Sequence, residues 1–370
     1  MKILYDHQIF LDQTYGGPSR YFYNIAKEIV KKENILINAP LHINKYLNYL
    51  PEEIVYGKNI NSLFSKKIPY KLQIVIKKYI INKINIFFLN RKTKDFKPNL
   101  IHKTYFDNYK TNLPVVLTVY DLIHEKFHDL YGKKSDFRPK KFAIESADEI
   151  ICISQNTLKD LDYYYNLKNK KTSVIYLASD LKDFNQSKLK NPINSNYLLY
   201  VGKRSGYKNF NNFIKAYSLS EQLKKDFKVV CFGGGKFRKK EITMFNEFKI
   251  NFDKIKYFEG NDLLLTNFYK NATALIYPSQ YEGFGLPVLE AMSFNCPVIC
   301  SNTSSLPEVG GDAVAYFSPN NIENIKSTIC EIVYSEKNKN DLLVKGKKRY
   351  QMFNWKKCAD ETLNIYKKLI

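Results

Sequence analysis

Short apolar runs, each followed by an amphipathic segment, recur along the whole chain, and this alternation restricts the fold more than any other feature. "KILY" (2–5) reads as a strand. "GGPSRYFYNIAKEIV" (16–30) reads as a turn and helix, with Tyr21/Phe22, Ile25/Ala26 and Ile29/Val30 at helical spacing. Further strands are expected in "NLIH" (99–102), "PVVLTVYD" (114–121), "EIICIS" (149–154) and "TSVIY" (172–176). "SQNTLKDL" (154–161) is a helix start with Ser154 or Asn156 as its cap. A polar stretch, "SDLKDFNQSKLKNPINSN" (179–196), reads as a linker. The pattern then restarts with "YLLYVG" (197–202), "KVVCFGGG" (228–235), "KIKYFEG" (254–260), "ATALIYPS" (272–279) and "PVICS" (297–301). Strand-then-helix alternation predicts parallel sheets with helices on both faces. The fold class is therefore α/β, with two doubly wound, Rossmann-like domains facing a central cleft. Open sheets of this kind bind ligands beyond the carboxyl ends of their strands.

The 370 residues suffice for two such cores, and 44% hydrophobic with 25% charged residues is a soluble composition. "MKILYDHQIF" lacks the features of a signal peptide, and no apolar run reaches the roughly 18 residues of a membrane span. The six cysteines are scattered, with neither zinc spacing nor a disulfide framework. Cytoplasmic localisation is expected. The net charge of +22 points to a polyanion: nucleic acid, an anionic membrane or a phosphorylated small molecule. A Lys- and Asn-rich compositional bias with solvated lysines explains it equally well. No nucleic-acid-binding module is recognisable, and aromatic residues are not interleaved with basic ones as a stacking platform.

The stretch "YPSQYEGFGLPVLEAMSFNCPVICS" (277–301) places two carboxylates, Glu282 and Glu290, around a glycine-rich turn that opens a helix. Pro287 suits the first helical turn. Unpaired amides there, with the helix dipole, favour a phosphate. Gly283 and Gly285 allow a ligand close to the backbone. The carboxylates suit sugar hydroxyls rather than phosphate. The bland alternative is one capping and one solvated glutamate.

This stretch, continued by "CPVICSNTSSLPEVGGDAVAYFSP", closely resembles the retaining glycosyltransferases of family 4, which have the GT-B fold. "LYVGKRSGYKNFNNFIKAY" (199–217), "VVCFGGG" and "FEGNDLLLTNFYKNATALIYPS" are similar to its preceding segments, in the same order. "YGGPSRYFYNIAKEI", "VVLTVYDLIHEKF" and "ESADEIICISQNTLKDL" extend the resemblance over nearly the whole chain. It implies an acceptor domain (1–180), a linker (181–196), a nucleotide-sugar domain (197–350) and a final helix (351–370) crossing back to the first domain. It implies that Glu282 contacts the donor sugar, that Glu290 contacts the ribose, and that the amides around Phe284 to Leu286 hold sugar and diphosphate. Arg204 and Lys208, with Lys203 as a substitute for Arg204, would neutralise the leaving diphosphate. No metal-binding Asp-x-Asp flanked by an apolar strand is apparent, so neither metal nor cofactor is expected. Gly16 and Gly17, before Arg20, match the loop beside the diphosphate and acceptor, or else form a plain helix entry.

The acceptor side departs from the family. His102 matches the first, usually buried, position of an H-x-H, and Thr104 stands where the active His would be. Asp121 is the expected acceptor-side group, with His124, Arg20 and Tyr105 nearby in role. The departing phosphate oxygen can itself accept the acceptor's proton. The function implied is transfer of a sugar, GDP-mannose being favoured as donor, to a lipid-linked surface glycan such as an O-antigen or capsule unit. The rivals are a GT-B-shaped sugar-nucleotide epimerase and a nucleic-acid-binding protein.

Residues 65–97 hold ten Lys/Arg and one Asp. Leu72, Val75/Ile76, Tyr79/Ile80, Ile84 and Phe87/Phe88 recur at helical spacing, with Lys71, Lys77, Lys78 and Lys83 mainly between them. Either this helix lies on an anionic membrane surface as a peripheral anchor, or its stripe packs on the sheet and its lysines are merely solvated.

Overall fold

A computed structural model describes residues 1–64, 69–131, 137–181 and 192–370, so most of the expected linker lies outside the described residues. The chain divides into two units: Met1–Leu122 with Tyr131–Leu177 and Trp355–Ile370, and Ile123–Leu130 with Ala178–Asn354.

Among the described residues the first unit has seven strands: β1 (Lys2–Tyr5), β2 (Asn34–His42), β3 (Val55–Asn59), β4 (Leu100–Lys103), β5 (Val115–Val119), β6 (Glu149–Cys152) and β7 (Lys171–Val174). They run parallel in the order β3-β2-β1-β4-β5-β6-β7. The second unit has β8 (Tyr197–Val201), β9 (Lys228–Phe232), β10 (Ile255–Phe258), β11 (Ala274–Tyr277), β12 (Val298–Ser301) and β13 (Ala315–Phe317). These are parallel in the order β10-β9-β8-β11-β12-β13. Each is a Rossmann-like sheet, and strand order reverses beside the first strand: at β1/β4 in one unit, at β8/β11 in the other. β2, β3 and β13 are additions to the strands read from sequence.

The amphipathic pattern explains the helices. Gly17–Ile29 buries Tyr21, Phe22, Ile25, Ala26 and Ile29. Ser154 caps Gln155–Tyr165, its hydroxyl accepting from the Thr157 amide at 3.0 Å. The last helix, Trp355–Leu369, belongs to the first unit and buries Cys358, Ala359, Leu363 and Tyr366 against the helix Gly17–Ile29. Its Tyr366 hydroxyl meets His102 Nδ1 at 2.6 Å, while His102 Nε2 meets Thr118 Oγ1 at 2.8 Å. Burial holds the His102 pKa down to about 3, so this residue is a neutral core histidine. The six cysteines are unpaired, and all but Cys330 are buried. Among the described residues no helix is long and apolar enough to cross a membrane.

Candidate active site

The second unit's switch point is built by three loops. The loop after β11 carries Glu282 and leads into the eight-residue helix Leu286–Ser293, with Pro287 in its first turn. Gly285 caps this helix at φ 104°, and a Cβ there would stand 2.7 Å from Leu306 Cδ2. Only glycine meets both demands without strain. The loop after β12 fixes the Glu282 loop from below. The Glu282 amide donates to Ser304 Oγ at 2.9 Å, and the Ser305 hydroxyl donates to the carbonyls of Glu282 and Phe284 at 2.8 and 2.9 Å. The loop after β8 ends in the turn Gly206–Lys208, and Gln280 ties the two by donating its amide to the Tyr207 carbonyl at 2.7 Å.

Lys208 Nζ reaches Glu282 Oε1 at 2.6 Å and Tyr277 Oη at 3.4 Å. The two charged side chains retain only 17% and 10% of their exposure, so the pair is largely shielded from water, which strengthens its attraction, yet still meets solvent. Burial, and then the neighbouring Glu282, hold the Tyr277 hydroxyl protonated far above its ordinary range. Glu290 is also buried, and one of its oxygens accepts from the Tyr269 hydroxyl at 2.9 Å. Neither glutamate is a solvated surface residue. The arrangement supplies a cation, two oriented carboxylates and the amide end of a helix.

Arg204 takes a different place from the one expected. Its guanidinium turns inward, stacks over the Phe237 ring and donates to Glu241 Oε1 at 2.7 Å. It also donates to the carbonyls of Gly233 and Gly235, each at 2.7 Å. Gly233, Gly234 and Gly235 have φ of 84°, 77° and 76°, a run that turns its carbonyls onto the arginine. Arg204 therefore braces the loop after β9 instead of presenting a cation at the site, while its neighbour Lys203 is exposed.

At the first unit's switch point the polar groups close on one another. Asp6, wholly buried after β1, accepts from the Thr104 amide at 2.8 Å, the Thr104 hydroxyl at 2.5 Å and the Tyr109 hydroxyl at 2.9 Å. Asp107 is bonded by the Gln8 amide and lies 3.6 Å from Lys103 Nζ. Burial, followed by repulsion from Asp6, raises the Asp107 pKa to about 7. His7 Nε2 meets Asn82 Oδ1 at 2.7 Å. Thr104, standing in for the active histidine, is thus a support for Asp6.

Gly16 precedes the helix Gly17–Ile29 in an extended conformation, and Arg20 lies in its first turn, donating its amide to the Gly16 carbonyl at 2.9 Å. Asp121 is half-buried just after β5, its carbonyl accepting from Lys140 Nζ at 3.5 Å. Tyr105 follows β4 with its ring 4.8 Å from that of Phe106. His124 lies on a short helix, Ile123–Lys126, within the second unit. There Lys126 sits over the Tyr281 ring, and Phe127 stacks on Tyr207.

A family model described as Glycosyltransferase Family 4 matches residues 15–183, and one described as Glycosyl transferases group 1 matches residues 182–349. The chain belongs to the family 4 glycosyltransferases. It is 33% identical over 175 residues to O-antigen chain mannosyltransferase B of Escherichia coli, covering 47% of this chain and 46% of that protein. It is 30% identical over 223 residues to O-antigen chain mannosyltransferase RfbU of Salmonella typhimurium, covering 58% and 60% respectively. The matches thus span only about half the length of these curated relatives. Sucrose-phosphate synthase of Thermosynechococcus elongatus shares the fold with a TM-score of 0.75 and 18% identity, covering 100% of this chain and 98% of that one.

In this family 4 glycosyltransferase the structure adds residues that sequence reasoning passed over. Tyr277, Tyr269, Ser304 and Ser305 orient the two glutamates and their loop. Tyr277 is the last residue of a strand that ends at the switch point, and that position was the available signal.

Proposed function

We propose that this chain is a retaining glycosyltransferase that moves a hexose from a nucleotide-diphosphate sugar to a lipid-linked glycan in O-antigen or capsule synthesis. It works without a metal at the cytoplasmic face of the membrane. The observation that carries the reading is the Lys208–Glu282 contact of 2.6 Å beside the amide end of the helix Leu286–Ser293. GDP-mannose is the favoured donor, because the two relatives reported above are both named as O-antigen chain mannosyltransferases.

The donor diphosphate lies on the amides of Gly283, Phe284, Gly285 and Leu286, where the helix dipole favours negative charge. Glu290, already oriented by Tyr269, accepts from ribose hydroxyls. Glu282 accepts from the donor sugar. Lys208 and Lys203 meet the charge that develops on the leaving diphosphate, and a cation aimed at that charge lowers the barrier. Arg204 contributes by holding the glycine-rich loop. The glycosidic C–O bond to phosphate breaks as the acceptor oxygen bonds to the same carbon from the same face. The departing phosphate oxygen takes the acceptor's proton. Gly16 and Gly17 are assigned to the donor diphosphate, Asp121 to catalysis beside the acceptor, and His124, Arg20 and Tyr105 to the acceptor itself.

The test is transfer from GDP-mannose and UDP-sugars to a lipid-linked acceptor in EDTA, with the product's anomeric configuration read by NMR. An α-linked product from an α-linked donor is expected. An inverted product, or activity lost in EDTA and restored by magnesium, contradicts the reading. Interconversion of the donor sugar with no acceptor present would instead identify an epimerase.

A further inference from the structure

Residues 70–96 form one helical run in the first unit: Tyr70–Val75, a π turn at Ile76–Ile81, and Asn82–Phe96. A helix packed on a sheet is expected to bury its isoleucines and phenylalanines and to show its asparagines. Along its middle turns this one instead buries an asparagine and leaves several large apolar side chains in solvent. Ile81, Asn85 and Leu89 face inward and are buried. Asn85 accepts from the Leu41 amide and donates to the Leu41 carbonyl, both at 2.9 Å. Leu72, Val75, Tyr79, Ile80, Ile84 and Phe87 face outward with exposures of 49%, 48%, 56%, 56%, 37% and 64%.

The π turn brings these six side chains onto a single face; Ile74, also 45% exposed, lies off it. At about 100° per residue, an uninterrupted α-helix would carry Ile84 about 120° around the axis from Leu72. The wider turn holds back that rotation and keeps Ile80, Ile84 and Phe87 in line with Leu72 and Val75. The resulting apolar strip is roughly 20 Å long. A continuous exposed strip of this kind marks an interaction surface.

The rim is basic. Lys83 is exposed between Ile80 and Ile84, Arg91 is exposed one turn beyond Phe87, and Lys94 is exposed further along. Lys77 instead lies half-buried over the Phe64 ring, so it is not part of the rim. The Lys71 and Lys78 side chains lie outside the described residues. From 69 to 97 the sequence has eight Lys/Arg and one acid, Asp95. A second copy seated here would oppose like charges. An anionic lipid surface satisfies both the apolar strip and its cations.

We propose that the outward face of residues 70–91 docks this enzyme on anionic lipid, Ile80, Ile84 and Phe87 entering the acyl boundary and Lys83 and Arg91 resting on headgroups. The use of such docking rests on the reading of a lipid-linked acceptor; the surface chemistry does not.

The test is flotation of the full chain with phosphatidylglycerol/phosphatidylcholine vesicles against phosphatidylcholine alone. Binding to the anionic vesicles at low salt, with release at high salt, is expected. Ile84→Ser and Phe87→Ser should each weaken binding about tenfold or more. Lys83→Gln and Arg91→Gln should each weaken it about fivefold. All four should melt as the parent does, since these side chains face outward. No binding, equal binding to neutral vesicles, or binding unmoved by the serine variants overturns the proposal. So does a dimer in sedimentation that Phe87→Ser dissociates, which would assign the face to a second copy. Transfer to a soluble acceptor fragment separates the two readings. Intact transfer without flotation sinks docking alone, and flotation without transfer sinks the transferase reading alone.

Discussion

The two sheets have the same strand order around their first strand, yet their switch points are furnished differently. At β8/β11 the charged groups face each other across a contact that substrate can enter: Lys208 and Glu282 keep part of their exposure. At β1/β4 the carboxylate of Asp6 is wholly buried, and its bonds come from Thr104 and Tyr109. One topology therefore supports two uses of the same location. In the second unit, on the proposed function, it positions groups for a ligand. In the first it locks neighbouring strand ends together, since a buried carboxylate with several protein donors is costly to disturb.

The largest expected effect separates these roles. Lys208→Met should lower turnover about a hundred- to a thousandfold, the cost of removing one group that stabilises transition-state charge. Asp6→Asn should instead lower the melting temperature by several degrees, because buried donors lose an acceptor oxygen, a loss worth about 1–3 kcal/mol. Its rate per folded molecule should stay near that of the parent. Steady-state kinetics with melting curves on both variants check this. Comparable loss of turnover in Asp6→Asn would break the contrast.

A smaller effect concerns pH and belongs to the first unit. Burial depresses His102 to about 3 and His42 to about 4 from an unfolded value of 6.5. Between those limits the unfolded chain binds protons that the native state refuses, so their contribution to stability falls as pH drops through that window. Asp107 acts in the opposite sense. Its pKa is raised from 3.8 to about 7, so the native state keeps a proton the unfolded chain has lost, and stability falls as pH rises through that range. Single variants should uncover the two slopes. Melting temperature should fall more steeply with rising pH in His102→Gln than in the parent, and rise more with pH in Asp107→Asn. Identical slopes in the two variants would show that these groups are not what the first unit responds to. The second unit's His124 and His128 are exposed.

Much of the second unit was legible because one short stretch carries its own geometry. The turn that needs φ 104° at Gly285, the first-turn Pro287 and both glutamates lie within nine residues, 282 to 290. Local spacing could not decide which of two adjacent basic residues turns inward. That choice is made by Phe237 and Glu241, more than thirty residues beyond Arg204. The first unit's polar cluster was illegible for the same reason, since residues 6, 8, 104, 107 and 109 meet only in the fold. Strand β2 escaped notice because Asn38, Pro40 and His42 interrupt its apolar pattern, and β13 because it has only three residues. For residues 70–96 the helical period was readable but not its direction. A period does not say which face meets the core, and here Asn85 does.

On the proposed function the β8/β11 switch point, and not β1/β4, holds the nucleotide. Calorimetric titration of GDP, UDP and ADP into the parent, Glu290→Gln and Asp6→Asn tests it most directly. One diphosphate should bind the parent at a single site. Glu290→Gln should weaken that binding by about 1.5–3 kcal/mol, the worth of hydrogen bonds to a charged acceptor. Asp6→Asn should leave it unchanged. Binding in Glu290→Gln as tight as in the parent, or binding lost in Asp6→Asn alone, would contradict the account.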